Sequence, residues 1–335
     1  MTPVNGLRLD ALLEAVGVEL PGSTADWPVV TGVACDSRRV QPGDLFVAIV
    51  GERFDGRRFV LAAVEAGAVA ILGPAPEPGV GDVDVPWVDV PSPRPILGAL
   101  SARAFGAPGD ALRLLGITGT NGKSTLVHLL GSMLDAAGEP AARLGTLGYF
   151  FGGTGWRAGG RTTPEAPDLH RLFAGMRAAG ARAAAMEVSS HALDLGRVDA
   201  VGFDLAVFTN LSRDHLDFHG DMESYFIAKR RLFDQLKDGG TSVVHLEEDG
   251  VEPAWGRRLA EDLAGRGVPL VTCGMDRGLD GVPHVRPARA AERRLDLTGT
   301  VVRLETPTGE LELRSPLLGH FHLLNLITAA ACGVA

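Results

Sequence analysis

The stretch Gly116-Ile117-Thr118-Gly119-Thr120-Asn121-Gly122-Lys123-Ser124-Thr125 is the densest chemical signal in this chain. Glycine lets a backbone come close to phosphate oxygens, and a helix starting there turns its unpaired N–H groups toward them. Lys123 is placed to neutralise β- and γ-phosphates, and the Ser124 hydroxyl to hold Mg²⁺. An apolar run, Leu112–Thr118, leads in, and Ser124–Ala137 has helical spacing closed by Gly138. The general phosphate-loop pattern asks for Gly at position 117, where this chain has Ile, so the loop is a variant. Its chemistry is nucleoside-triphosphate binding, with Gly119, Thr120, Asn121, Gly122, Lys123, Ser124 and Thr125 as the contacts.

Two further clusters lie downstream. Met186-Glu187-Val188-Ser189-Ser190-His191 follows an apolar run, Arg182–Val188, that reads as a buried strand. Ligand crevices in open parallel sheets lie at the carboxyl ends of strands, so Glu187 either reaches a metal or is simply solvated. Asn210–Gly220 follows the next strand candidate, Asp204–Thr209, and is dense in Asp and His. That loop suits metal and phosphate contacts or is a charged surface. Its H-x-x-x-H spacing lacks the glutamate of a zinc protease, which excludes that reading.

Lys229 is the third signal. The apolar stripe of the expected helix Met222–Lys237 is Met222, Tyr225, Phe226, Leu232, Phe233 and Leu236, and Lys229 falls in its middle. A buried ammonium is costly unless it loses its charge or gains a partner. Lys229 is therefore either a snorkelling amine or a neutral or modified lysine near a metal.

The elements that must position these residues alternate strand and helix, which predicts a parallel sheet covered by helices. The helix Asp168–Ala179 and the strand Thr241–Leu246 continue the alternation. Leu295–Glu305 and Glu310–Leu313 alternate polar and apolar, predicting a small antiparallel addition. Before the loop lies a small α/β unit with a strand at Leu45–Val50, a helix at Phe59–Glu65 and a strand at Ala68–Leu72. Gly73–Pro95, rich in Pro, Gly and Asp, reads as loop, and Gly106–Gly109 as a linker. The boundary is placed there, giving domains 1–108 and 109–335. The last stretch, Leu323–Ala335, is almost wholly apolar, so it docks into its own domain or meets a domain that follows.

Composition bounds the rest. A net charge of -9 over 335 residues argues against nucleic acid, whose phosphates are gripped by Lys and Arg. No run approaches the roughly 18 apolar residues of a membrane span, and charges within the first twenty residues break any signal-peptide core. Cys35, Cys273 and Cys332 are too scattered for a disulfide framework or a metal spacing. A reducing, cytoplasmic location is expected.

Taken together the motifs resemble the Mur ligases, most closely the MurE-type UDP-N-acetylmuramoyl-tripeptide synthetases. Asp36-Ser37-Arg38, Pro42–Phe46 and Asp55-Gly56-Arg57 carry the resemblance in the first domain. In the second it is carried by the T-G-T-N-G-K-S-T loop, Thr162-Thr163-Pro164-Glu165, Glu187–His191 and Thr209–Gly220. The resemblance implies a UDP-substrate domain followed by a phosphate-loop ATP domain. It implies that Ser37, and Cys35 through its backbone, contact the uridine nucleotide, and that Thr162, Thr163, Ser190 and Arg197 hold the muramoyl-dipeptide portion. Lys229 would be a carbamylated lysine, joining Glu187 and His215 around a second Mg²⁺ while Ser124 serves the first. Lys123, Glu187, His215 and Lys229 would be the catalytic set. The implied reaction is ATP-dependent amide ligation. The D-glutamate γ-carboxylate becomes an acyl phosphate, and a diamino acid, meso-diaminopimelate or lysine, displaces the phosphate.

The chain departs from the family pattern G-x-F-N-x-x-N at Gly319–Asn325. His322 stands where an adenine-side Asn is expected, while Asn325 is retained. The family's third domain, which selects the amino acid, is expected to be lacking. Two rivals follow: a fragment that binds nucleotide and UDP-sugar without ligating, and another phosphate-loop enzyme or a folylpolyglutamate- or cyanophycin-type ligase. Asp36-Ser37-Arg38 argues against the last.

Overall fold

The computed structural model describes residues 6–20, 27–51, 54–76, 83–152, 154–156, 161–248, 250–288, 293–296 and 299–335. The chain forms two compact units. The first comprises 1–112 with 164–180 and 195–201, and the second 113–163, 181–194 and 202–335.

In the first unit, Gly32–Ala34, Asp44–Val47, Ala70–Gly73 and Trp87–Asp89 form a four-stranded sheet in that order, parallel throughout. Leu45, Val47, Ala70 and Leu72 pack with Leu97, Leu100 and Ala104 of the helix Arg94–Ala104 into one core. Phe46, Ala48 and Ile71 pack with Val60 and Ala63 of the helix Val60–Glu65 into another. Each buried leucine or valine contributes roughly 1.5–3 kcal/mol. The loop expected over 73–95, of which 77–82 lie outside the described residues, begins inside the strand Ala70–Gly73 and is interrupted further on. Trp87–Asp89 is a strand because Val88 is buried and the backbone pairs with Ala70–Gly73. Pro95 sits in the first turn of Arg94–Ala104, where a proline's missing N–H costs nothing.

In the second unit, seven parallel strands run in the order Ala141–Gly145, Ala183–Glu187, Arg113–Thr118, Phe203–Phe208, Leu236–His245, Leu270–Cys273 and His284–Pro287. Antiparallel strands extend both edges: Gly148–Phe151 and Thr154–Trp156 at one, Gly299–Thr306 with Arg293–Asp296 and Gly309–Ser315 at the other. The alternation over Leu295–Glu305 thus resolves into two strands, with 297–298 outside the described residues. The helix expected over Met222–Lys237 is shorter. It spans Met222–Arg230, capped by Asp221, whose side chain accepts from Ser224 N. One tight turn, Arg231–Gln235, follows, and from Leu236 the backbone is strand. Parallel pairing with Phe203–Phe208 and an ion pair of Lys237 with Asp204 at 2.8 Å hold those residues extended.

The apolar end of the chain is the helix His320–Val334. Its Leu323, Ile327 and Ala331 are buried with Leu126, Val127 and Leu130 of the helix Lys123–Ala136 and with Val243, Val271 and Val285 of the sheet. Its apolar face is therefore covered within its own unit. Among the described residues no helix is long and apolar enough to cross a membrane.

Candidate functional site

The loop Gly119–Gly122 leaves the strand Arg113–Thr118 and enters the helix Lys123–Ala136. Gly119 has φ 140° and Gly122 φ 87°, conformations that side chains disfavour. Space forbids a side chain as well. A Cβ on Gly119 would run into Thr209, and one on Gly122 into Asn325. Asn325 is therefore brought against the loop it was expected to serve.

The segment after Phe203–Phe208 clamps the loop. Thr120 N donates to Asn210 O at 2.9 Å, and Asn121 N donates to Asn210 Oδ1 at 3.0 Å. Asn210 Nδ2 and Thr209 Oγ1 both donate to Asn121 O, at 3.1 and 2.6 Å. Ser212 N donates to Thr120 Oγ1 at 3.0 Å. Pinning a loop from outside spares the entropy of ordering it when ligand arrives.

Lys123 Nζ donates to Gly119 O at 2.9 Å and to Thr120 O at 2.8 Å. Burial lowers its pKa, against the opposing pull of Glu187 and Asp214. Lys229 Nζ donates to the same Gly119 O at 2.9 Å and stands 4.5 Å from the Tyr225 ring centroid. Lys229 is 1% exposed, and among the described residues no carboxylate pairs with it. Burial first, then the neighbouring Lys123, hold its pKa well below the ordinary lysine value. The periodic reading of Lys229 as part of an apolar stripe therefore corresponds to a buried amine, not a snorkelling one.

Glu187 ends the strand Ala183–Glu187 and is 2% exposed. Ser124 Oγ donates to its Oε1 at 2.7 Å, Thr146 N to the same oxygen at 2.9 Å, and Thr146 Oγ1 to Oε2 at 3.2 Å. A buried carboxylate needs such donors. The Ser124 and Glu187 oxygens together are hard ligands of the kind magnesium takes. Among the described residues no three His, Cys, Asp or Glu side chains stand grouped as for a metal ion.

His215 has φ 51°, unusual for a residue with a side chain. Its ring lies 4.9 Å from that of His191 and 6.2 Å from that of Tyr225, centroid to centroid. His219 joins the group, with Nε2 2.9 Å from Ser190 Oγ. Burial, then the nearby His191, lower the His219 pKa. Thr162 Oγ1 lies 3.0 Å from Thr146 Oγ1, and Thr163 Oγ1 donates to Glu187 O at 2.9 Å.

The remaining expected contacts belong to the first unit. Cys35 follows the strand Gly32–Ala34, and Ser37 opens the short turn Ser37–Arg39, which Asp36 caps through Arg38 N. Arg197 Nε is 2.9 Å from Glu165 Oε1. Sequence reasoning did not single out Thr146 or Asn210. Position at a strand's carboxyl end was a signal available for both, and Asn210 also heads the Asp- and His-rich run Asn210–Gly220.

Comparison with known proteins bears on this geometry. Residues 117–333 match the Mur ligase middle domain, and residues 29–105 match the Mur ligase family catalytic domain. A Pseudomonas aeruginosa UDP-N-acetylmuramoyl-L-alanyl-D-glutamate–2,6-diaminopimelate ligase is 42% identical over 304 residues, covering 90% of this chain and 59% of the relative. The Parasynechococcus marenigrum ligase of the same name is 45% identical over 337 residues, covering 97% of this chain and 63% of the relative. A solved structure of a ligase with that name superposes with TM-score 0.76 at 27% identity, over 98% of this chain and 64% of the other. Acinetobacter baumannii MurF, at 21% identity, TM-score 0.68 and coverage of 100% of this chain and 66% of that one, shares the fold. The chain thus spans about 60% of the length of the curated relatives it matches.

Proposed function

The chain belongs to the Mur ligase family, and we propose that it takes part in ATP-dependent ligation of 2,6-diaminopimelate to UDP-N-acetylmuramoyl-L-alanyl-D-glutamate. The observation that carries this reading is the meeting of Ser124 with Glu187 at 2.7 Å beside two lysines that share the Gly119 carbonyl. ATP would supply the phosphoryl group that turns the substrate carboxylate into an acyl phosphate. Magnesium would neutralise charge during that transfer. Lys123 and the amides entering the helix Lys123–Ala136 would bind phosphate, while Ser124 would hold one Mg²⁺ and Glu187 and His215 a second. Most of the acceleration would come from positioning and charge neutralisation.

Lys229 fits carbamylation in one specific respect. Carbon dioxide reacts with a neutral amine, and burial favours that form of Lys229. The product would exchange a cation for an anionic oxygen beside the metal ligands. Asn325 would lie on the nucleotide side. Thr162, Thr163, Ser190 and Arg197 would hold the muramoyl-dipeptide, and Cys35 and Ser37 the uridine nucleotide. Domains 1–108 and 109–335 are proposed as the UDP-substrate and ATP domains, supported by the family matches over 29–105 and 117–333. The reading carries a cytoplasmic location.

The test is incubation with MgATP, the UDP-muramoyl-dipeptide and meso-diaminopimelate or lysine, followed by chromatography for tripeptide and ADP. Tripeptide with diaminopimelate is expected. Binding of both ligands without product would support the rival reading of a binding-only chain. For the carbamate, ¹³C-bicarbonate should give a carbamate resonance that Lys229→Ala lacks.

A further inference from the structure

Thr146 touches both the metal-side carboxylate and Thr162. The strand Ala141–Gly145 ends flush against Glu187, since a Cβ on Gly145 would collide with the Glu187 side chain. The next residue, Thr146, can therefore grip both carboxylate oxygens, with its N–H on Oε1 at 2.9 Å and its hydroxyl on Oε2 at 3.2 Å. Its Oγ1 also lies 3.0 Å from Thr162 Oγ1.

Proton counting gives this chain of contacts a direction. A hydroxyl has one proton and two lone pairs. The Thr146 proton is committed to the carboxylate, so Thr162 must be the donor in the Thr162–Thr146 pair. With its proton turned inward, Thr162 offers only lone pairs to whatever approaches it. The same holds at the other end, where the Ser124 proton points at Glu187 Oε1 at 2.7 Å. That leaves the Ser124 lone pairs directed outward, as cation ligation requires.

We propose that Thr146 is a positioning residue that aims Glu187 and fixes Thr162 as a hydrogen-bond acceptor, so that Thr162 recognises an N–H or O–H of the muramoyl-dipeptide and not one of its anionic oxygens. The inference deepens the proposed function and rests on that reading for the identity of the ligand at Thr162. Thr146 is exposed, so replacing it does not disturb a core.

The experiment is calorimetry of the whole chain with ADP, with and without Mg²⁺, and separately with UDP-N-acetylmuramoyl-L-alanyl-D-glutamate. Thr146→Val keeps the N–H and the shape but removes the hydroxyl. It should weaken both MgADP and muramoyl-dipeptide binding by about 10-fold, the size of one hydrogen bond to a charged group. ADP affinity without Mg²⁺ should not change. Thr146→Ser, which restores the hydroxyl, should return both ligands to within about 2-fold of the parent. Thr146→Val within about 2-fold of the parent for either ligand, or Thr146→Ser no better than the valine variant, overturns the relay. Thr162→Val is the second probe. It should cost about 10-fold in muramoyl-dipeptide affinity and nothing in MgADP affinity, and unchanged dipeptide affinity would overturn the role given to Thr162. A parent protein that does not bind the muramoyl-dipeptide would sink the functional reading, while the MgADP arm would still judge the grip of Thr146 on Glu187.

Discussion

Asp36 and Asp55, in the segments that follow two parallel strands of the first unit, find their partners differently from the charged residues around the phosphate loop of the second. In the first unit, Asp36 is paired by Arg38 and Asp55 by Arg57, each two residues along the chain. In the second, Glu187 draws on Ser124 and Thr146, 63 and 41 residues away, and Lys229 reaches Gly119 O across 110 residues. Local pairs form as soon as a turn forms, and where they face solvent, as Arg38 does beside Asp36, they are screened by salt. Partners drawn from several strand ends converge only when the whole sheet is built, and they take their charges out of water with them. Folding energy is spent there on holding charge in a fixed place, which is what phosphoryl transfer needs.

The largest effects should come from breaking the long-range set. Lys123→Ala should reduce MgADP affinity by roughly 100-fold, the size of a lost charge-assisted phosphate contact, read by calorimetry. Lys229→Ala should abolish tripeptide formation by a ligation-competent protein, and added bicarbonate should not restore it.

Acid sharpens the comparison through one histidine in each unit. Burial lowers the pKa of His170 in the first and of His245 in the second to about 4, from 6.5. Between those values the unfolded chain binds protons that the native chain does not. Stability should therefore be intact above about pH 6.5 and fall as pH drops toward 4, by about 3 kcal/mol per imidazole. Urea denaturation across that range measures it. The two imidazoles differ in their surroundings. His245 Nδ1 lies 2.9 Å from Thr328 Oγ1, while neither His170 nitrogen has a hydrogen-bond partner among the described residues. His170→Phe should remove the first unit's share of the acid sensitivity.

Asn210→Ala should have a smaller effect, about 10-fold on nucleotide affinity. It leaves Asn121 N without its side-chain partner and Asn121 O with Thr209 Oγ1 alone, and its readout is the ADP dissociation constant. The smallest effect belongs to the local pairs. Arg38→Ala should leave the urea midpoint where it is, because Arg38 is largely exposed beside Asp36.

The same contrast explains what was legible in the sequence. The phosphate loop is one contiguous stretch, and Lys229 showed itself through the 3.6-residue period of its own helix. Glu187 was visible as the end of an apolar run. Thr146 was not singled out, and Asn210 was seen only as the head of a polar loop, because what makes them matter is a partner 41 or 89 residues away. Trp87–Asp89 was hidden for a related reason. Three residues among prolines and glycines become a strand only when Ala70–Gly73 lies beside them. The end of the helix at Arg230 was likewise set by sheet pairing from Leu236, which outweighed the helical pattern.

We propose that the long-range set at Ser124 and Glu187 holds a metal-bound nucleotide. The most direct test is the gain in ADP affinity on adding Mg²⁺, measured by calorimetry for the parent and for Glu187→Ala. A gain of about 10-fold or more in the parent, lost in the variant while metal-free ADP binding persists, is the predicted result. An equal magnesium gain in both proteins would contradict the account.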